Sequence, residues 1–128
     1  MDSLAIVYDE RNKLHKPLHY HPENPKRIES IISCLEKEKL WGSVEVFESF
    51  EAPEEHIFAV HSKEYIDELK EIIRSGVNYI DADTYICASS WEAARVSAGC
   101  AIRCVDLVRK NQVKRAFSLM RPPGHHAE

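Results

Sequence analysis

No apolar run in this 128-residue sequence approaches the length of a membrane-spanning helix, so no membrane partner is expected. There is no basic cluster either. With 17 Lys and Arg against 21 Asp and Glu, the net charge is −4, and proteins that track phosphates carry clustered positive excess instead. Direct nucleic-acid binding is therefore not expected. The four cysteines, Cys34, Cys87, Cys100 and Cys104, form no CxxC pair, which fits reduced thiols in a cytoplasmic protein, or a nuclear one in a eukaryote, better than a disulfide frame. "MDSLAIVYDE" lacks the basic start and small-residue cleavage site of a signal peptide and reads as a first strand. Repeats, low-complexity tracts and linkers are also missing. At 44% hydrophobic and 30% charged, residues 1–128 make one globular domain at most, or part of one.

Strand and helix signals alternate along the chain. "LAIVYD" (4–9) is a β-rich run, followed by a polar stretch and a loop rich in His and Pro. From Pro25, the residues Ile28, Ile31, Ile32, Leu35 and Leu40 recur at helical spacing. "VEVFESF" (44–50) alternates as a half-buried strand does. Ser62 then opens a second helical stripe, Tyr65, Ile66, Leu69, Ile72 and Ile73, which Gly76 suits as a C-cap. Residues 77–88, "VNYIDADTYICA", form a long connection without clear periodicity. Ser89 or Ser90 begins a third, longer helix, with Trp91, Ala94, Ala98, Ala101, Ile102, Val105 and Val108 on its expected core face. Its small residues, Gly99 among them, would allow close approach to a neighbour. Cys100 and Cys104 share one face and read as core packing. "RAFSLM" (115–120) is a short last strand. Strands separated by helices predict an α/β fold with parallel pairing, and such sheets bind ligands beyond the carboxyl ends of their strands.

At one such end stands "RPPGHHAE" (121–128). Two adjacent histidines can serve as a general base and its electrostatic partner, although "HH" alone is more often a surface feature. Pro122, Pro123 and Gly124 shift the balance, because they stiffen the approach and then let backbone come close to a substrate. "HYHPENPKRI" (19–28) presents His21, Glu23 and Arg27 from a Pro-stiffened loop. The H-x-H spacing of His19 and His21 suits a metal pair, but no third ligand is evident and a plain loop is the better reading. His61, in "VHSKEYI" (60–66), reads as a buried, hydrogen-bonded residue joining a strand end to a helix. In "DADTY" (81–85), Asp81 and Asp83 either cap a turn or present carboxylates to a cation or a substrate backbone.

In this order HPExPxRI, VHSxxYI, DxDTY before a serine-started Ala/Gly-rich helix, and RPPGHHAE resemble the histone deacetylase family, which includes acetylpolyamine amidohydrolases and acetoin-utilization proteins. RPPGHHA is the most specific element, and the exact form RPPGHHAE is most similar to the class II branch and its bacterial and archaeal relatives. The resemblance covers essentially all 128 residues. It implies the N-terminal part of an arginase-like fold, a mainly parallel sheet flanked by helices, and hydrolysis of acetyl-amide bonds by a zinc ion that polarises the carbonyl and activates water. It further implies that His126 is the general base, that His125 tunes it, that Arg27 lies in an internal channel that attracts departing acetate, and that Asp83, with Asp81 as second choice, grips substrate backbone.

The family's zinc ligands and its oxyanion-stabilising tyrosine follow the paired histidines, and no D-x-H occurs in these 128 residues. The expectation is a single incomplete domain, 1–128, that binds no catalytic zinc by itself and is inactive alone. Zn2+ would belong to the complete family domain. The substrate would be an acetylated lysine or a polyamine-type amide. Apolar faces left by the last helix and strand would favour self-association or completion by the missing C-terminal part. Two further readings stay open: a non-catalytic interaction module of the family and, weakest, a small metal-binding protein using His19, His21 and cysteines.

Overall fold

The computed structural model describes residues 3–124, so His125 and His126 lie outside the described residues. Strand β1 (Leu4–Val7) leads through a short 3-10 turn (Glu10–Leu14) and the Pro-rich loop to α1 (Lys26–Lys37) and strand β2 (Glu45–Phe47). A short helix α2 (Glu54–Phe58) and α3 (Lys63–Arg74) precede a hairpin of β3 (Tyr79–Asp81) and β4 (Thr84–Tyr85). Helix α4 (Ser90–Arg109) and strand β5 (Arg115–Ser118) follow. β1 is central and pairs in parallel with β2 (Ile6 opposite Val46) and with β5 (Ile6 opposite Phe117), giving the order β2-β1-β5.

The alternation of β1 divides the core. Ala5 and Val7 face α4 with Cys100, Leu107 and Val113, and Cys104 packs against this group. Ile6 faces the other way with Ile28 of α1 and Leu119, backed by Ile32 and Leu35. A parallel sheet buried on both faces needs such a run of apolar residues, and "LAIV" supplies it. This is the α/β fold with a helix-flanked parallel sheet that the element order predicts.

Helix α3 begins where the sequence indicates: the Ser62 hydroxyl accepts from the Tyr65 N–H at 3.1 Å, and Gly76 follows the helix at φ +82°. Three expectations need correction. Residues 77–88 hold a hairpin, which its two- and three-residue strands are too short to announce by period. α2 and the 3-10 turn, five residues each, are also too short to show a period, and His61 follows α2 rather than a strand end. It is only partly buried, and its Nδ1, though screened from water, has no hydrogen-bond partner.

The third correction concerns α4, whose buried residues are Ser90, Ala93, Val96, Gly99, Cys100 and Leu107 rather than the stripe ending at Val105 and Val108. Val105 is 57% exposed. The physical reason is close approach: a Cβ on Gly99 would sit 1.7 Å from the Phe50 carbonyl oxygen, so the small-residue side of the helix fits against the segment after β2. That segment is tied down by Ser49 Oγ donating to the Val96 carbonyl at 2.9 Å and by the Ala52 N–H donating to that of Arg95 at 3.0 Å.

Candidate active site

Beyond the carboxyl ends of β1 and β5 the chain builds a buried polar cluster around Arg121, the residue that opens RPPG. Arg121 is 1% exposed. Its Nε and Nη2 donate to Glu23 Oε1 at 2.9 and 2.6 Å, Nη2 also to the Tyr85 hydroxyl at 2.6 Å, and Nη1 to the Asn12 carbonyl at 2.5 Å. One guanidinium thus joins the 3-10 turn, the HPENP loop, β4 and the exit of β5. A cation buried so completely is tolerable only with a charged partner and a full set of acceptors. Burial alone would raise the Glu23 carboxyl, but hydrogen bonds from Arg121 and Arg27 outweigh it and hold the group below its ordinary value.

Tyr85 donates its hydroxyl proton to the Glu23 carbonyl at 2.6 Å, and burial pushes its pKa up to about 12. The His15 ring stacks on it with centroids 4.4 Å apart and an interplanar angle of 14°. His15 Nδ1 lies 2.7 Å from Ser90 Oγ, which also accepts the Cys87 N–H at 2.8 Å. Burial first, and the Arg121 charge second, bring His15 down to about 4, so the ring is neutral at pH 7.

The residues singled out from sequence fall around this cluster. Asp81 turns into its own hairpin, accepting the Asp83 N–H at 2.9 Å and the Thr84 hydroxyl at 3.1 Å. Asp83 instead points outward, 92% exposed, with Oδ1 2.9 Å from His21 Nε2. His21 Nδ1 accepts the Glu23 N–H at 3.0 Å, so both ring nitrogens are engaged. His19 is exposed, and among the described residues no three His, Cys, Asp or Glu side chains gather closely enough to hold a metal ion. Arg27 sits on the first turn of α1, 55% exposed, with Nη1 2.6 Å from Glu23 Oε2.

Sequence reasoning passed over Arg121, Tyr85, Asn12, His15 and Ser90 as site-builders. The available signal was a basic residue between the apolar run of a strand and two prolines. That position falls at the carboxyl end of a sheet, where burial demands a carboxylate.

An open groove of about 760 Å3 runs between α3 and α4. Ile66, Leu69, Trp91, Ala98 and Ile102 line its apolar length, while His21, Glu23, Asp83, Tyr85 and the Pro122–Gly124 turn border it. A groove at the carboxyl ends of a parallel α/β sheet is the place where α/β domains commonly bind their ligands.

Comparison with known proteins supplies the family. The histone deacetylase domain profile matches residues 21–128, and the chain belongs to that family. A probable deacetylase of Archaeoglobus fulgidus is 34% identical over 97% of this chain and 35% of its own length. A polyamine deacetylase of Danio rerio is 28% identical over 97% of this chain and 20% of its own. The solved HDA15 HD domain superposes with a TM-score of 0.88 at 32% identity, covering 98% of this chain and 37% of that one. The chain thus spans about a third of the length of the first curated relatives that it matches.

Proposed function

We propose that these residues form the N-terminal third of a zinc-dependent deacetylase that hydrolyses N-acetyl-lysine or a related acetyl-amide, including acetylated polyamines. The observation that carries this reading is that Asp83 and the Pro122–Gly124 turn border one apolar groove. An acetylated aliphatic side chain needs an apolar passage, a rim carboxylate to hold its backbone or amine, and a base at the reacting amide. Asp83 has the exposure for the rim role, whereas Asp81 is spent on its turn.

In this scheme His126 takes a proton from the attacking water and returns it to the leaving amine, and His125 stabilises the charge that His126 gains. Arg27 would draw off the released acetate. Zinc, bound by the ligands that the family resemblance places after the paired histidines, would supply Lewis acidity. The 128-residue chain alone would then neither bind catalytic zinc nor turn over substrate.

A second reading, an interaction module without catalysis, has one observation in its favour: Val105, Val108 and Phe117 expose apolar surface on α4 and β5. Such a surface would seat either the remainder of a deacetylase domain or a second copy. Acetate release separates the two readings. In a chimera, residues 1–128 replace the matching third of the Archaeoglobus relative and are offered an N-acetyl-lysine peptide and an acetylated polyamine. The catalytic reading expects turnover that falls about 100-fold or more in His126→Ala. Turnover that survives that substitution would sink it.

A further inference from the structure

We propose that Glu23 is a positioning residue that fixes the Arg121–Gly124 turn and the Asp83 carboxylate relative to each other across the groove. The proposal rests on the deacetylase reading and deepens it by naming what aligns the rim with the turn that leads to the paired histidines.

Every polar group of Glu23 is engaged. Its N–H donates to His21 Nδ1 at 3.0 Å, and its carbonyl accepts the Tyr85 hydroxyl at 2.6 Å. Oε1 takes Arg121 through Nε and Nη2, and Oε2 takes Arg27 at 2.6 Å. With Nδ1 accepting, the proton of a neutral His21 ring is on Nε2, directed at Asp83 Oδ1 2.9 Å away. The backbone N–H of Glu23 thus holds His21 against Asp83, while its carboxylate reaches both the first residue of RPPG and the hairpin through Arg121, whose Nη2 also donates to the Tyr85 hydroxyl at 2.6 Å.

The orientation given to Arg121 is passed on with little slack. Pro122 and Pro123 have ring-fixed φ, and Ser97 Oγ holds the Pro122 carbonyl from the α4 side at 2.8 Å. Glutamate suits this task for two reasons. Aspartate would withdraw the carboxylate by about 1.5 Å, one carbon–carbon bond. Glutamine would keep the shape but leave a buried guanidinium without its counter-charge.

The test is NMR on the labelled 128-residue chain, comparing wild type, Glu23→Asp and Glu23→Gln. Its signals are the Arg121 Nε–H, the amides of residues 79–85, the ring carbons of His125 and His126 and, as a reference, the amides of β1. We expect Glu23→Asp to move the first three sets and to speed amide exchange in 79–85 by about tenfold, with β1 unchanged. Glu23→Gln should do the same more strongly. If Glu23→Gln does not fold, Arg121→Lys takes its place, read on the amides of residues 79–85 and the histidine rings alone, since it keeps the charge but loses the fork and the Nε–H signal.

Unmoved histidine rings beside an altered Arg121 signal would overturn the proposal. So would a shift of all signals together, β1 included, because that would mark Glu23 as a general stabiliser only. No turnover is needed, so this result and the acetate assay on the chimera fail independently.

Discussion

His15 offers a prediction whose magnitude follows from its surroundings. The ring is 8% exposed, stacked on Tyr85, hydrogen-bonded at Nδ1 and close to the Arg121 charge. Burial and then Arg121 lower its pKa from 6.5 to about 4. A base with a lowered folded pKa binds its proton more readily when unfolded. Its stabilising contribution is therefore complete above pH 6.5 and drains away as pH falls toward 4. Each pH unit in that window costs about 1.4 kcal/mol, roughly 3 kcal/mol over the full shift and about 2 kcal/mol between pH 6.5 and 5. Urea unfolding followed by circular dichroism at pH 7.5, 6.5, 5.5 and 5.0 measures it. His15→Asn, which keeps an acceptor near the Nδ1 position without titrating, should be less stable at pH 7.5. It should nevertheless lose about 2 kcal/mol less than wild type between pH 6.5 and 5. Parallel curves for the two proteins would refute the reasoning, because other titrating groups cancel in the difference.

Gly99→Ala forces a methyl group to within 1.7 Å of the Phe50 carbonyl, so α4 must move off the segment after β2. About 3 kcal/mol of stability should be lost, read as a lower urea midpoint, and a change below 1 kcal/mol would contradict the close approach. Arg121→Met removes the cation from a cluster built around it and should cost about 3–5 kcal/mol at pH 7, with a loss under 1 kcal/mol as the contrary result. Ser62→Ala deletes the N-cap of α3 and should cost about 1 kcal/mol in the same urea assay, whereas an unchanged midpoint would remove the capping role.

The parts of the fold that were legible in the sequence are those governed by strong local signals. "LAIV", the helical stripe begun at Ile28, the Ser62 cap and the strand at Arg115 each announce themselves through period or capping chemistry, although the stripe overruns at Leu40, which lies beyond the end of α1 and is exposed. The hairpin was not legible, since strands of two and three residues show no alternation. The face of α4 is not legible for a deeper reason: the helix is apolar on two sides, and which side packs inward depends on the clearance between Gly99 and the segment after β2, a distance that no sequence period encodes. For the site, Asp81 and Asp83 are indistinguishable by type and separate only once the hairpin ties the Asp81 carboxylate to the Asp83 N–H and the Thr84 hydroxyl. The Arg121 cluster gathers residues 12, 23, 85 and 121, contacts that only the sheet topology creates. His125 and His126 rest on motif resemblance, as they lie outside the described residues.

Zinc stoichiometry by elemental mass spectrometry, on the purified 128-residue chain and on the chimera with the Archaeoglobus relative, asks most directly whether these residues hold the histidine half of a deacetylase site and not the metal half. We predict about one zinc per chimera and essentially none on the chain. Stoichiometric, tightly held zinc on the 128-residue chain alone would contradict that division.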